Sequence, residues 1–413
     1  MAAIFDIDKA RSHFKALRLN QCFMDNAGGS QTLDTVADSI SKYLMSTNVQ
    51  LGATYPISSQ STKLVDEGYD AAANYINAES SKNIVLGGAT TQLFQNLAAS
   101  LWDHFSIGDE VVLSQLDHEA NIASWVRLAT RKSLKIKWWK GSAATDPNTT
   151  DPVLTADNLK PLLSKRTKFV ACTHTSNILG TIHDIAAISK SMRETSPNAL
   201  LCVDAVAYAP HRVVDVQALG VDFYSFSWYK VYGPHQAVLY ASPRGQAAIT
   251  SLGHYFNEKG HPNELSNQLG LAAGAYELTA SLPKVVEYCS PKEGFWEGVA
   301  THEEKLQGIL LEYLRGRKDV KILGKKEADR GVRVPVVSFV VEGRRSRDVV
   351  EEVERRSEYG IRWGHFYSHR LCTEIFGLPE DDGVVRVSLV HYNSEEEVRG
   401  LVKVLDDVLE GRT

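Results

Sequence analysis

The sequence predicts an α/β protein, with a large domain on a mostly parallel seven-stranded sheet followed by a smaller α+β domain. Three observations carry this. From about Asn83 to Tyr240, short runs rich in Val, Ile or Phe alternate with polar or glycine turns and with segments of helical periodicity. After Tyr240 the chain changes to long helical stretches and then to short strands among charged helices. The 413 residues, 43% of them hydrophobic, suffice for one large core and one smaller one.

Taken in order, the strand candidates of the first region are NIVLG (83–87), EVVLS (110–114), LKIKWW (134–139), KFVACTH (168–174), LLCVDAV (200–206), DFYSFS (222–227) and AVLYA (237–241). They read as near-continuous apolar runs, as strands buried on both faces do. Helical segments such as TTQLFQNLAASLWDHF (90–105) and ADNLKPLLSKR (156–166) fall between them. GSAATDPNTTDP (141–152) is the most turn-rich stretch and reads as a surface connection. Beyond Tyr240, helices are expected over 264–288 and 295–316, strands at VPVVSFVV (334–341), YGIRWG (359–364) and VVRVSLV (384–390), and charged helices at 346–356 and 394–411.

Charge and composition exclude several function classes. A net charge of -5 with no long Lys/Arg run leaves no footprint for nucleic acid. No segment has the roughly 18 consecutive apolar residues of a membrane span, and the N-terminus has charges where a secretory signal needs an apolar core. A cytoplasmic protein acting on small molecules is expected. The five cysteines are scattered, without C-x-x-C spacing, so neither a disulfide framework nor a metal site is indicated.

Ligands of a parallel sheet sit at the carboxyl ends of its strands. One strand ends in Ser227-Trp228-Tyr229-Lys230 and breaks at Gly233-Pro234. A lysine there, desolvated and near other cations, has its pKa lowered and suits Schiff-base chemistry; elsewhere it would be one more solvated lysine. The preceding apolar strand ends in Asp204, either a helix cap or a carboxylate that keeps a pyridine nitrogen protonated. Lysine and aspartate on neighbouring strand ends are what pyridoxal 5'-phosphate (PLP) chemistry requires. A strand-glycine turn opens a helix at Thr90-Thr91, which is either a simple cap or an anion site for phosphate. His118 follows another strand and is either structural or a ring lying flat over an aromatic cofactor.

Read together, these motifs resemble the class V aminotransferase family, in its cysteine-desulfurase-like branch, over nearly the whole chain. The Gly-x-Thr-Thr turn, the His-x-Ala, the segment HTSNILGT (174–181), the strand Asp and the Ser-x-x-Lys before Gly-Pro all occur in the family's order. The resemblance implies fold-type I architecture, with residues 19–265 as the PLP domain and 1–18 with 266–413 as the small domain. It implies that Lys230 carries the cofactor, Asp204 pairs with its ring nitrogen and His118 stacks on the ring. Thr90, Thr91, Ser227 and Tyr229 would hold the phosphate, and Asn177 would lie near the phenolic oxygen or the substrate carboxylate. Arg386, otherwise a plain strand arginine, falls where relatives bind the substrate's α-carboxylate. A homodimer is also implied, with the backbone near Gly274-Ala275 of one subunit completing the phosphate site of the other.

Two departures redirect the chemistry. Tyr229 stands where many relatives have His, and Ala207 where relatives have a Gln touching the phenolic oxygen. Desulfurases of this type carry a persulfide-forming cysteine in Gly-His-His-Cys; here the segment is Gly364-His365-Phe366-Tyr367, with Tyr367 in the cysteine's place. Segments such as FSWYKVYGPH and VRVSLVHYN look closer to specialised-metabolism members, among them the loline Mannich cyclase and the aspartate-decarboxylating aldol enzyme. The expected reaction is a substrate Cα carbanion used for C–C bond formation, with His365, Tyr367, Tyr55 and His254 as wall residues. The alternatives are C–S lysis of cysteine or a cysteine conjugate, ordinary transamination, and a PLP-binding scaffold without turnover.

Overall fold

The computed structural model describes residues 5–256, 264–270, 272–289 and 294–412. Its central sheet holds β2 (Ile84–Gly87), β3 (Glu110–Ser114), β4 (Lys135–Trp139), β5 (Thr167–Thr173), β6 (Leu200–Asp204), β7 (Phe223–Ser227) and β8 (Ala237–Ala241), while β1 (Cys22–Phe23) lies outside it. The order is β2-β8-β7-β6-β5-β3-β4, and β8 alone runs against its neighbours. This is the mostly parallel seven-stranded sheet that the apolar runs predict.

Alternation along each strand feeds two cores. Val170, Leu201, Val203, Tyr224 and Phe226 point to one face, and Phe169, Ala171, Leu200, Cys202 and Phe223 to the other. Because both faces are covered, every residue of β6, β7 and β8 is buried.

The second sheet is antiparallel, with β9 (Val320–Leu323), β10 (Val336–Val341), β12 (Arg362–Gly364) and β13 (Val384–Ser388) in the order β12-β13-β10-β9. Helices Phe295–Gly316, Ser346–Arg356 and Glu395–Leu409 share a third core with it. The expected strand YGIRWG is in fact two. β11 (Tyr359–Gly360) pairs in parallel with β1, and β12 joins the antiparallel sheet, so buried Ile361 marks a change of partner that periodicity does not display.

The expected long helix over 264–288 is broken into Leu265–Leu269, Tyr276–Thr279 and Leu282–Cys289. Pro283 lies at the start of the last piece, where a missing N–H is tolerated. The second and third pieces pack on helices Asp34–Ser46 and Pro56–Tyr75. Gly68 makes that approach possible, since a Cβ there would come within 2.2 Å of the Thr279 carbonyl oxygen. Among the described residues no helix is long and apolar enough to cross a membrane.

Candidate active site

Strands β5, β6 and β7 end side by side, with Thr173 opposite Asp204 and Asp204 opposite Ser225. The turns beyond them, with the start of helix Thr90–Ser100, enclose one cavity. It is lined by Thr90, Thr91, His118, Asn177, Asp204, Ser227, Tyr229 and Lys230, eight of the residues singled out from the sequence, joined by Thr173, Thr175 and Ala207.

Lys230 closes a short 3-10 turn, Trp228–Lys230, immediately after β7. Burial, reinforced by the Arg386 guanidinium, lowers its pKa to about 8, against an opposing pull from Asp204. Asp204 accepts a hydrogen bond from the Val206 N–H at 2.9 Å, and burial pushes its carboxyl up to about 6. The two groups are therefore tuned toward one another by the same dry surroundings.

At the far end of the cavity the Thr90 and Ser227 hydroxyls lie 2.9 Å apart at the start of helix Thr90–Ser100. Ala89, at that helix's N-cap, has no side chain able to satisfy the first N–H groups, which leaves a site for an anion. His118 accepts the Ala120 N–H on Nδ1 at 3.0 Å, and burial together with Lys230 and Arg386 pushes its pKa down to about 3. The ring is accordingly a neutral flat wall with Nε2 protonated.

These residues fit PLP. There is an amine poised for a Schiff base, a carboxylate for the ring nitrogen, a flat imidazole for the ring face, and hydroxyls with a helix N-terminus for the phosphate. The buried Thr175 hydroxyl lines the same cavity and has no hydrogen-bond partner among the described residues, as expected of a group that waits for a ligand.

Arg386 lies behind this cavity, on β13. Its Nη2 donates to Asp25 Oδ1 at 2.6 Å and its Nη1 to the Asn177 carbonyl at 3.2 Å. Asn177 in turn donates to the Phe366 carbonyl and accepts from the Ser368 hydroxyl. Tyr367 is 73% exposed, with its ring 5.1 Å from that of His118. His365 meets the Pro379 carbonyl through Nε2 at 3.1 Å. The other expected residues lie elsewhere in the single chain. Tyr55 is 48% exposed at the start of helix Pro56–Tyr75, and His254 is exposed and stacks on Phe256. Gly274 lines a second, larger cavity with Gly88, Gln92 and His235.

Sequence reasoning passed over Asp117 and Asp25. Asp117 is buried, takes hydrogen bonds from Asn121 and from the Thr173 N–H, and is pushed up to about 8 by burial, with a further push from the Asp204 charge. Its one sequence signal is an Asp at a strand end with an Asn four residues on. Asp25 had none, because its partner Arg386 is 361 residues away.

Residues 22–401 match the family described as aminotransferase class-V. The chain belongs to the class V aminotransferases. They are PLP-dependent enzymes, and PLP is the cofactor that the cavity fits. Over 98% of its length the chain is 51% identical to the aminotransferase-like protein FGM3 of Gibberella zeae, of which it covers 99%. It is 38% identical to the cysteine desulfurase-like protein ustD of Aspergillus flavus, covering 98% of this chain and 91% of that one. It also matches 26% of a nonribosomal peptide synthetase-like enzyme of Aspergillus fumigatus at 38% identity. The cysteine desulfurase of Thermococcus onnurineus superposes with a TM-score of 0.87 over the whole of both chains at 24% identity, which shows the fold-type I architecture.

Proposed function

We propose that this class V aminotransferase generates a carbanion at Cα of an amino-acid-derived substrate and directs it to form a carbon–carbon bond in specialised metabolism. The observation that carries this reading is the placement of Lys230 and Asp204 in one cavity whose neighbouring Gly-His-Phe-Tyr turn holds a phenol, Tyr367, where desulfurases carry a thiol. All five cysteines are buried. Burial pushes Cys372, the nearest in sequence to that turn, up to about 12, so it supplies no thiolate at neutral pH.

Bound PLP supplies an electron sink for the pair of electrons left at Cα. The chain's own residues do the rest. Lys230 Nζ would hold the cofactor and, when free, would serve as the base for the Cα proton. Asp204 would keep a proton on the pyridine nitrogen, and the neutral His118 ring would support the cofactor plane and exclude water from one face. Arg386 orients the substrate carboxylate, with its own position fixed by Asp25 and Asn177. We further propose a homodimer in which the wall around Gly274 faces the second subunit.

The test is product analysis with holoenzyme and a Lys230→Ala control. α-Deuterated amino acids are supplied alone and with aldehydes, and L-cysteine is assayed in parallel. Loss of deuterium and a new adduct are expected with at least one amino acid and aldehyde. Sulfide with alanine or pyruvate from L-cysteine, without any adduct, would replace this reading by C–S cleavage.

A further inference from the structure

The turn from Gly364 to Ser368 closes over Arg386. Phe366 lays its ring with the centroid 3.6 Å from the guanidinium carbon of Arg386, and the Arg362 guanidinium lies 5.7 Å from the same ring. Arg386 is 1% exposed, its two Nη atoms are engaged by Asp25 and Asn177, and its buried Nε has no partner among the described residues. Phe366 and Tyr367 are consecutive residues in the left-handed region, with φ of 50° and 60°. Side chains with a Cβ avoid that conformation, and two in a row persist only where surrounding contacts hold them. The contacts are visible. Asn177 Nδ2 donates to the Phe366 carbonyl at 3.0 Å, the Ser368 hydroxyl to Asn177 Oδ1 at 2.8 Å and the Glu119 N–H to the Tyr367 carbonyl at 2.8 Å, while Arg370 pairs with Glu119 at 3.0 Å.

We infer that Phe366 is a specificity-determining residue: its ring must leave Arg386 before a substrate carboxylate is received, so it moderates the preference for amines that carry a carboxylate over amines that do not. This rests on the reading that Arg386 receives the substrate carboxylate. With the ring in place, one face of the guanidinium is covered and the charge is dry. An amino acid whose amine is held on the cofactor must bear the cost of displacing the ring to reach the guanidinium, whereas an amine without a carboxylate does not.

The holoenzyme is mixed with L-alanine or with ethylamine, which is alanine without its carboxylate, and the absorbance of the bound cofactor is followed. Phe366→Ala should raise the second-order rate for L-alanine about thirtyfold, the size of a desolvated cation–π contact, and change that for ethylamine less than twofold. Phe366→Leu, which keeps apolar volume without a ring face, should lie between and guards against a misfolded alanine variant. Equal changes for both amines, or no change for either, in the two variants would overturn the inference. Arg386→Ala should erase the preference for L-alanine over ethylamine. If that preference survives, it is the assignment of Arg386, and not the role of Phe366 as such, that fails first.

Discussion

Lys230 owes its chemistry to its neighbours. An ordinary lysine near 10.4 is almost wholly protonated at pH 7, whereas one at about 8 offers roughly a tenth of its amine in the nucleophilic form. Capture of PLP by the apoprotein should therefore speed up with pH and level off above about 8; stopped-flow absorbance that keeps rising beyond pH 10 would show an unperturbed lysine. Asp204→Ala should leave that capture intact while lowering turnover by roughly a hundredfold or more, measured as kcat against cofactor content. Arg386→Ala should raise KM for substrates with a free carboxylate by about a hundredfold, the scale of a lost buried charge pair, with a smaller effect on kcat. Lys230 and Asp204 were legible in the sequence because each ends an apolar strand at the edge where ligands bind. Asp25 and Phe366 were not, because their role is set by contact with an arginine that lies 361 residues beyond the first and on a strand separate from the turn of the second.

At the scale of elements, patterns confined to one segment were read well and patterns shared between segments were not. β3 and β8 coincide with their apolar runs, and helix Phe295–Gly316 coincides with its periodic stretch. β1 is two residues long, and β9 is a four-residue strand with a lysine at its second position, so neither offers a periodic signal. The helix after Asn393 shows what local signals decide. The Ser394 hydroxyl oxygen accepts from the Glu397 N–H and the Glu397 carboxylate accepts from the Ser394 N–H, a capping box written directly in S-E-E-E. Ser394→Ala should cost about 1 kcal/mol and lower Tm by roughly 2 °C in a calorimetric scan. An unchanged Tm would mean that burial of Val398, Leu401 and Leu405 alone holds that helix.

For the whole molecule, buried titratable groups set the response to acid. Burial holds the pKa of His118, His174 and His391 down to about 3 and that of His183 to about 4, so unfolding releases four imidazoles that take up protons below pH 6.5. Their contribution to stability is present above 6.5 and is lost as pH falls toward those lower values. Asp117 and Asp204 act with the opposite sign, since their raised pKa values favour the fold below the ordinary carboxylate range and lose that benefit as pH rises toward 8 and 6. Four groups outweigh two, so the apoprotein's Tm should fall on the order of 5 °C between pH 6.5 and pH 5 in a calorimetric titration, and a flat profile would contradict the burial of these rings. What the sequence by itself determined is the α/β class, the strand ends that carry Lys230 and Asp204, and the glycine turn that opens the helix at Thr90, because each is written in a few adjacent residues with a fixed period. What only the tertiary structure decided is the Asp25–Arg386–Asn177 chain of contacts, the ring of Phe366 over the guanidinium and the buried Asp117. Those depend on desolvation and charge pairing between segments that meet only once the two sheets have packed.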